Sequence, residues 1–516
     1  MAKRFYITTA IDYTNGAPHI GHAYEKVLAD VIARYQRFLG QPVQLLIGVD
    51  QHGQKVQQSA AKEGIAPEAF VRRITDQFLA LWRKLDISYD AWAATTEQRH
   101  KDCVRGMLQR LWDEGKIYKD KQAGYYSVRQ EQFLTDKERN EAGEFGEEWG
   151  EVEFREEENY YFRLAEHREW LLALIDKRTD LVTPDFRRVE LRNAVEKITT
   201  DLCISRPKSR LDWGIEFPFD PNFVTYVWFD ALTNYISFAG YDPAGRTTAE
   251  QPPEFRDLWP ALHLIGKDIL IPAHGIYWPI MLHALGFADE EIASLLVHGW
   301  WNISGSKMSK SLGNVVDPDA LADKYGTEAL RYYLMADIAT GKDSDFSEER
   351  LVSRYNADLA NSLGNLLNRT LNMAHRYRGG VVRAGGGDSP LRQQAEDAIA
   401  SFHQQLGGYQ VHAALDVLNA FVTACNTYVE VMAPWKLAKD PDRAETLDHV
   451  LYALAEAMRI IGLLLSSVLP KAAHAIFEQL NWTGETTMST AAWGGLPDGH
   501  SLGEPTPVFP RIEPAA

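Results

Sequence analysis

The sequence predicts an α/β chain: a parallel-sheet domain split by an insertion, followed by an all-α helix bundle. Three observations carry that reading. Short β-branched runs closed by polar or glycine-containing turns occur near the start and again between residues 223 and 300. A densely charged stretch from about Lys116 to Glu158 separates the two groups. From about Glu348 onward, apolar residues recur at helical spacing over long stretches. At 516 residues the chain is too long for one hydrophobic core, so several domains are expected.

Taken in order, "RFYITTAI" (4–11) reads as a buried strand, closed by "DYTNGAP". Val27, Leu28, Val31, Ile32 and Tyr35 then follow helical spacing, and Gly40 ends the run. "QPVQLLIGVD" (41–50) is a second strand ending in the polar cluster Asp50-Gln51-His52-Gly53. Strand, helix, strand opens a parallel sheet, and such sheets bind ligands beyond the carboxyl ends of their strands. After the insertion, "FVTYVWFDA" (223–231), "ALHLIGKD" (261–268) and "ASLLVHGW" (293–300) read as resumed strands. Antiparallel helices follow, broken by "RGGVVRAGGGDSP", and a proline-rich extended tail ends the chain. The expected boundaries are 1–115 and 213–300 for the two halves of the sheet domain and 116–212 for the insertion. A mobile-loop and connecting region at 301–347 and a helical domain at 348–516 complete the chain.

Composition removes several functions. No 18-residue apolar run is present, and the start lacks a signal-peptide core, so a cytoplasmic protein without a membrane partner is expected. Cys103, Cys203 and Cys425 are too far apart for a disulfide framework or a CxxC knuckle. The net charge of −17 argues against a generic polyanion binder, although a local basic surface can still exist.

Two strings carry chemistry. "NGAPHIGHAYEKV" places His19 and His22 three apart at a helix start, where free N–H groups and the helix dipole attract phosphate. Gly21 between them lets a flat ring approach the backbone. That string alone reads equally as two surface histidines near a turn. Zinc ligation fits less well, since no third ligand is close. The second string is "GSKMSKSLGN" (305–314). Lys307 and Lys310 bracket Met308 and Ser309 in a Gly/Ser-rich loop that can fold over a polyphosphate and neutralise charge on departing pyrophosphate.

The pair of strings, on an interrupted parallel sheet followed by helices, resembles the class I aminoacyl-tRNA synthetases. The finer strings "AIDYTNGAPHIGHAYE", "GVDQHG", "ISRPKSRLDWGI", "TYVWFDALTNYI", "LIGKDI" with "YWPIML", and "MAPWKLAK" resemble the methionyl-tRNA synthetases along nearly the whole chain. The resemblance implies a Rossmann-like catalytic domain, a connective insertion and a helical anticodon-binding domain. It implies ATP-dependent joining of L-methionine to initiator and elongator tRNA(Met) through methionyl-adenylate, with Mg2+ accompanying ATP.

It also implies site residues. Ile11, Tyr13, Trp228, Ala231, Leu232, Tyr235 and His274 would wall a methionine pocket, and Asp50 would hold the α-amino group. Aromatic walls suit a thioether, and a carboxylate at a strand end suits an ammonium. Trp228 and Tyr235, seven apart on a helical face, read by themselves as core packing. His19, Gly21, His22, Lys307, Met308, Ser309 and Lys310 would meet ATP, Asp268 its ribose and Arg206 its triphosphate. Asn365, Arg369 and Trp435 would meet the anticodon.

Three departures from the family pattern stand out. "GYYSVRQEQFLTD" has no cysteine where many members carry a zinc knuckle, so no structural zinc is expected. "GKDILIPAHGIYWP" is one residue longer than usual between Asp268 and His274. The C-terminal extension through which some members dimerise is missing, which points to a monomer. The alternatives are a class I synthetase for Leu, Ile, Val or Cys, a small nucleotidyltransferase, and a non-catalytic RNA-binding paralogue. The second would not need "APWK" or so long a helical part, and the third would show degraded strings.

Overall fold

In a seven-stranded sheet every pairing is parallel, and its central order places Phe5–Thr9 between Val43–Asp50 and Leu262–Gly266. Ser294–His298 and then Val182–Thr183 extend one side, while Asp12–Tyr13 and Ala91–Ala94 both pair with Val43–Asp50 on the other. These strands belong to a computed structural model that describes residues 3–127, 132–134, 136–140, 142–303, 305–307, 315–384 and 389–513. Ile7, Leu45, Ile47, Val49, Leu264, Ile265 and Val297 are fully buried. A parallel sheet covered on both faces explains their nearly continuous apolar runs. The chain leaves the first strand toward one neighbour and returns later on its other side. The crevice at the carboxyl ends there is the switch point where such sheets take ligands.

The first helix, Ile20–Phe38, begins at the N-cap His19 and ends before Gly40, whose φ of +80° suits glycine. Its buried face carries Ala23, Val27, Val31 and Tyr35. Asp30 on this helix and the buried Arg331 of Thr327–Ala336 form an ion pair at 2.7 Å. Arg331 also donates to the carbonyls of Leu85 and Val468 at 2.9 Å each, fastening the sheet domain to the bundle. The bundle contains Asn365–Arg378, Pro390–Gly407, Val411–Met432, Ala444–Leu465 and Pro470–Gln479. The tail returns across it. His500–Ser501 pairs with Val381–Val382, and Ile512 exchanges two hydrogen bonds with the Asn356 side chain. Among the described residues no helix is long and apolar enough to cross a membrane.

The structure corrects two readings of the sequence. "FVTYVWFDA" is not a strand of the parallel sheet. Asp220–Thr225 is antiparallel in a three-stranded sheet, and Val227–Ser237 is a helix. Aromatic and β-branched residues fit both states, and here Phe229, Leu232 and Ile236 bury a helical face. Val182–Thr183, inside the span 116–212 assigned to the insertion, pairs with Ser294–His298 in the main sheet.

The insertion is built on a long antiparallel pair, Ile117–Ser127 with Val152–Phe162. Of its apolar residues, Tyr160, Phe162, Leu171 and Leu174 join the core beneath the main sheet, while the buried Tyr126 and Leu134 lie outside that core. At the tip, the Arg139 guanidinium lies over Tyr125 and Phe145 at 4.9 and 4.3 Å. The Asn140 side chain closes the turn by accepting from the amides of Ala142 and Glu144. Among the described residues no three His, Cys, Asp or Glu side chains converge as metal ligands.

Candidate active site

At the switch point two cavities share a wall made of Ala10, Ile11, Tyr13, Asp268 and Ile269. The first, about 430 Å³, is also lined by Asp50, Lys55, Tyr226, Trp228, Ala231, Leu232, Tyr235 and His274. All eight residues inferred for a methionine pocket therefore line one cavity. The helix Val227–Ser237 presents Trp228, Ala231, Leu232 and Tyr235 because these positions share a helical face.

His274 reaches the cavity despite the longer spacing. Leu270–Tyr277 is loosely wound, and Ile271 leaves helical geometry (φ −115°, ψ 123°), so the chain takes up the extra residue there. The His274 Nδ1–H donates to the Ile269 carbonyl at 3.0 Å, and Nε2 accepts from the Tyr235 hydroxyl at 2.7 Å. Burial pushes this imidazole down to about 4, so the wall stays neutral. A neutral aromatic wall suits an unbranched apolar side chain.

Asp50 ends its strand with a buried carboxylate. Burial and the negative charge of Asp230 push its carboxyl well above the ordinary value, against weak hydrogen bonds from the His52 amide and the Thr95 hydroxyl. Asp230 is itself clamped at 2.8 Å by His52 Nδ1 and by His100 Nε2. Burial opposes its charge, yet the two histidines hold it down at about 2. This network joins the loop after Asp50 to the helix bearing Trp228. Nothing local announces it, because residues 52, 100 and 230 come together only in the folded chain. Gly53, at φ +106°, is needed here: a Cβ would lie 2.8 Å from the Tyr13 hydroxyl oxygen.

The second cavity, about 370 Å³, is lined by His19, Gly21, His22, Asp12, Glu25, Gly266, His298, Gly299, Trp300 and Trp301 besides the shared wall. His19 Nδ1 accepts from the Gly21 amide, and His22 Nδ1 accepts from the His19 amide, each at 3.1 Å. This reciprocal pair closes the helix start as a capping box. With Nδ1 used as acceptor, each neutral ring keeps its proton on Nε2, a donor suited to phosphate oxygen. The rings lie 3.8 Å apart, centroid to centroid. A Cβ at residue 21 would stand 3.0 Å from His19 Cε1, so Gly21 makes room for the His19 ring. The Asp268 carboxylate accepts from the Trp300 indole N–H at 3.2 Å.

Arg206 lines neither cavity. Its guanidinium lies 4.6 Å from the ring of Tyr226 and donates to the Ser205 carbonyl. Backbone residues Ser306–Lys307 pair with Trp301–Ile303, whose Trp301 lines the second cavity, while Met308, Ser309 and Lys310 lie outside the described residues. In the bundle, Arg369 lies 5.9 Å from the ring of Trp435 and pairs with Glu430 at 2.6 Å. Asn365 is exposed one turn earlier on the same helix. Ala433, at φ +45°, ends the preceding helix and turns the half-buried Trp435 toward Arg369. Residues missed from sequence include Lys26, Glu25, His298 and Trp300; the first two lie inside "NGAPHIGHAYEKV" and the last two end "ASLLVHGW", but neither string by itself marks them.

Comparisons with known proteins agree along the whole chain. Residues 5–143 and 148–371 match a family model described as class I tRNA synthetases (M). Residues 380–516 match the anticodon binding domain of methionyl tRNA ligase. A methionine–tRNA ligase of Deinococcus radiodurans is 40% identical over 524 residues, covering 100% of this chain and 75% of its own length. One from Nostoc sp. is 41% identical over 530 residues, covering 99% and 98%. The solved Mycobacterium tuberculosis methionyl-tRNA synthetase in complex with methionyl-adenylate superposes with a TM-score of 0.90 at 36% identity, covering 99% of this chain and 100% of that one.

Proposed function

The chain belongs to the methionyl-tRNA synthetase family of class I, and on that premise we propose how its two cavities divide the work. The reaction joins L-methionine to tRNA through methionyl-adenylate, releasing pyrophosphate and then AMP. Synthetases for leucine, isoleucine, valine or cysteine are not favoured by these matches. The observation that carries the assignment is the shared wall: a neutral aromatic cavity with a buried carboxylate opens beside a cavity at a capped helix start.

Methionine occupies the first cavity, with its thioether against Trp228, Tyr235 and His274 and its ammonium on Asp50. ATP occupies the second, its phosphates near His19 and His22 and its ribose near Asp268, with Mg2+ carried by the phosphates. The methionine carboxylate attacks the α-phosphorus in line as pyrophosphate leaves. The 3′-terminal hydroxyl of tRNA then attacks the adenylate carbonyl, and AMP leaves. The protein aligns the reacting atoms and stabilises developing charge through His19, His22, Lys307 and Lys310, with Arg206 swinging from Tyr226 toward the triphosphate. Initiator and elongator tRNA(Met) are both substrates, the chain acts as a monomer in the cytoplasm, and the insertion tip needs no zinc. ATP–pyrophosphate exchange tested with each apolar amino acid decides the assignment: exchange should depend on methionine, and equal exchange with leucine or isoleucine would sink it.

Two further outcomes follow. The raised Asp50 carboxyl keeps its proton to higher pH than an ordinary carboxyl, yet it must be ionised to hold an ammonium. Methionine binding should therefore release a proton below that raised value, and affinity should climb as pH rises through it. Calorimetry in two buffers of different ionisation enthalpy reads the proton directly. Identical heats would mean that Asp50 is already ionised in the free enzyme.

Trp435→Ala should weaken tRNA charging by roughly 1–3 kcal/mol, the value of a stacked base, and leave pyrophosphate exchange intact. An equal fall in both activities would make Trp435 a packing residue.

A further inference from the structure

Between the cavities lies an ion cluster that the reaction as described leaves unused. Lys26 is fully buried on the first helix, one turn beyond His22. Its Nζ donates to the Ala10 carbonyl at 3.1 Å, Asp12 Oδ1 at 2.8 Å and Glu25 Oε1 at 2.9 Å. Glu25 Oε2 meets His298 Nε2 at 3.1 Å, and His298 Nδ1 meets the Gly299 carbonyl at 2.7 Å. Both nitrogens of His298 face oxygen atoms. The Lys26 ammonium thus sits between two carboxyl groups beneath a cavity that takes a polyanion.

We propose that Lys26 is a positioning residue for adenylate formation: it fixes residues 10–13, the wall common to both cavities, against the helix that carries His19 and His22. This rests on the reading that the cavities take methionine and ATP. Ala10, Ile11 and Tyr13 line both of them. Ala10 and Asp12 each receive a Lys26 hydrogen bond, so one ammonium sets the wall from two points. The alignment of the attacking carboxylate with the α-phosphorus depends on that wall, and small misplacements of reacting groups are costly in rate.

Stability alone is a poor reason for such a cluster. Buried ion groups are often replaced by apolar residues without loss. Asp12 Oδ2 is buried with no hydrogen-bond partner among the described residues, a cost that a purely structural cluster has no reason to keep. Burial, opposed by Lys26, leaves the Asp12 carboxyl at about 7.

The test is Asp12→Asn with Lys26→Met in the full chain, which removes one charge of each sign and leaves the Glu25–His298 pair. Pyrophosphate exchange is measured at a temperature where circular dichroism shows the variant folded. The expected result is a kcat roughly 10- to 100-fold lower, with the KM for methionine and for ATP each changed less than about threefold. A kcat within twofold of the parent overturns the proposal, as does a loss confined to KM. If the double variant does not fold, Lys26→Arg asks the same question. It keeps the charge but displaces the donor on Ala10, so kcat should fall at least about fivefold, and a parental kcat overturns the proposal. A parent chain without methionine-dependent exchange would overturn the underlying reading and this proposal with it.

Discussion

Asp50→Asn should raise the KM for methionine about a hundredfold or more while leaving the KM for ATP nearly unchanged. Removing one partner of a buried, hydrogen-bonded charge pair costs about 2–5 kcal/mol, and each 1.4 kcal/mol is tenfold. Asparagine keeps the shape of the side chain and can still accept from the His52 amide. It loses the charge that offsets a buried ammonium, and its own amide hydrogens point donor against donor. The same change should not weaken the fold. Burial and Asp230 already disfavour the ionised form of Asp50, so a neutral asparagine removes no charge that the free fold relies on. The expected signature is therefore a lost substrate with an equal or higher melting temperature, the usual sign of a residue kept for binding and not for stability. Exchange kinetics beside a thermal melt give both numbers. A KM within threefold of the parent would remove Asp50 from the ammonium site.

What the sequence revealed and what it hid follow from how far each feature reaches along the chain. The strands Phe5–Thr9, Val43–Asp50, Leu262–Gly266 and Ser294–His298 each carry their apolar run within themselves, and all were legible. Val182–Thr183 is two residues long and owes its place to the neighbouring Ser294–His298, so nothing local announces it. The 223–231 run was misread because one string holds the end of a strand and the start of a helix, both rich in residues of strong β propensity.

The site shows the same division. His19, Gly21 and His22 are neighbours in sequence, and their geometry is set by the helix they start. The methionine-pocket residues were named through family resemblance; their helical spacing alone would have placed Trp228 and Tyr235 in a core. Networks assembled from distant segments were invisible. Asp230 with His52 and His100 draws on three segments, and Lys26 with Asp12 and His298 draws on the first helix, the short strand Asp12–Tyr13 and the end of another strand. The last group was hidden for a second reason: a lysine one turn beyond His22 reads as a surface charge until burial is known. Arg206 shows the opposite limit. Resemblance named it for the triphosphate, yet its guanidinium packs on Tyr226 and lines neither cavity.

The largest effect is expected from His19→Asn combined with His22→Gln. Each histidine has two tasks that ordinary alanine variants would confuse. One is to cap the helix through Nδ1, and the other, on the reading proposed above, is to offer an Nε2–H donor to the nucleotide in the second cavity. Asparagine is among the best N-cap residues, and glutamine three positions later closes a capping box from its side-chain oxygen. The double variant therefore rebuilds the helix start without imidazole. Because a cap is worth only about 1 kcal/mol, and here it is replaced, the melting temperature should stay close to that of the parent. The chemistry should not survive. Preorganised donors aimed at charge that develops in the transition state are worth on the order of 10²–10³ in rate each, and water returning to the cavity does not replace them. Methionine-dependent exchange should fall at least about a hundredfold, while methionine binding measured without ATP stays intact, since neither histidine lines that cavity. Alanine at both positions should lose the cap as well and melt earlier, which separates the two tasks. If the Asn/Gln variant retains exchange within tenfold of the parent, the histidines act as a helix cap alone, and phosphate stabilisation must come from the lysines of the 305–314 loop.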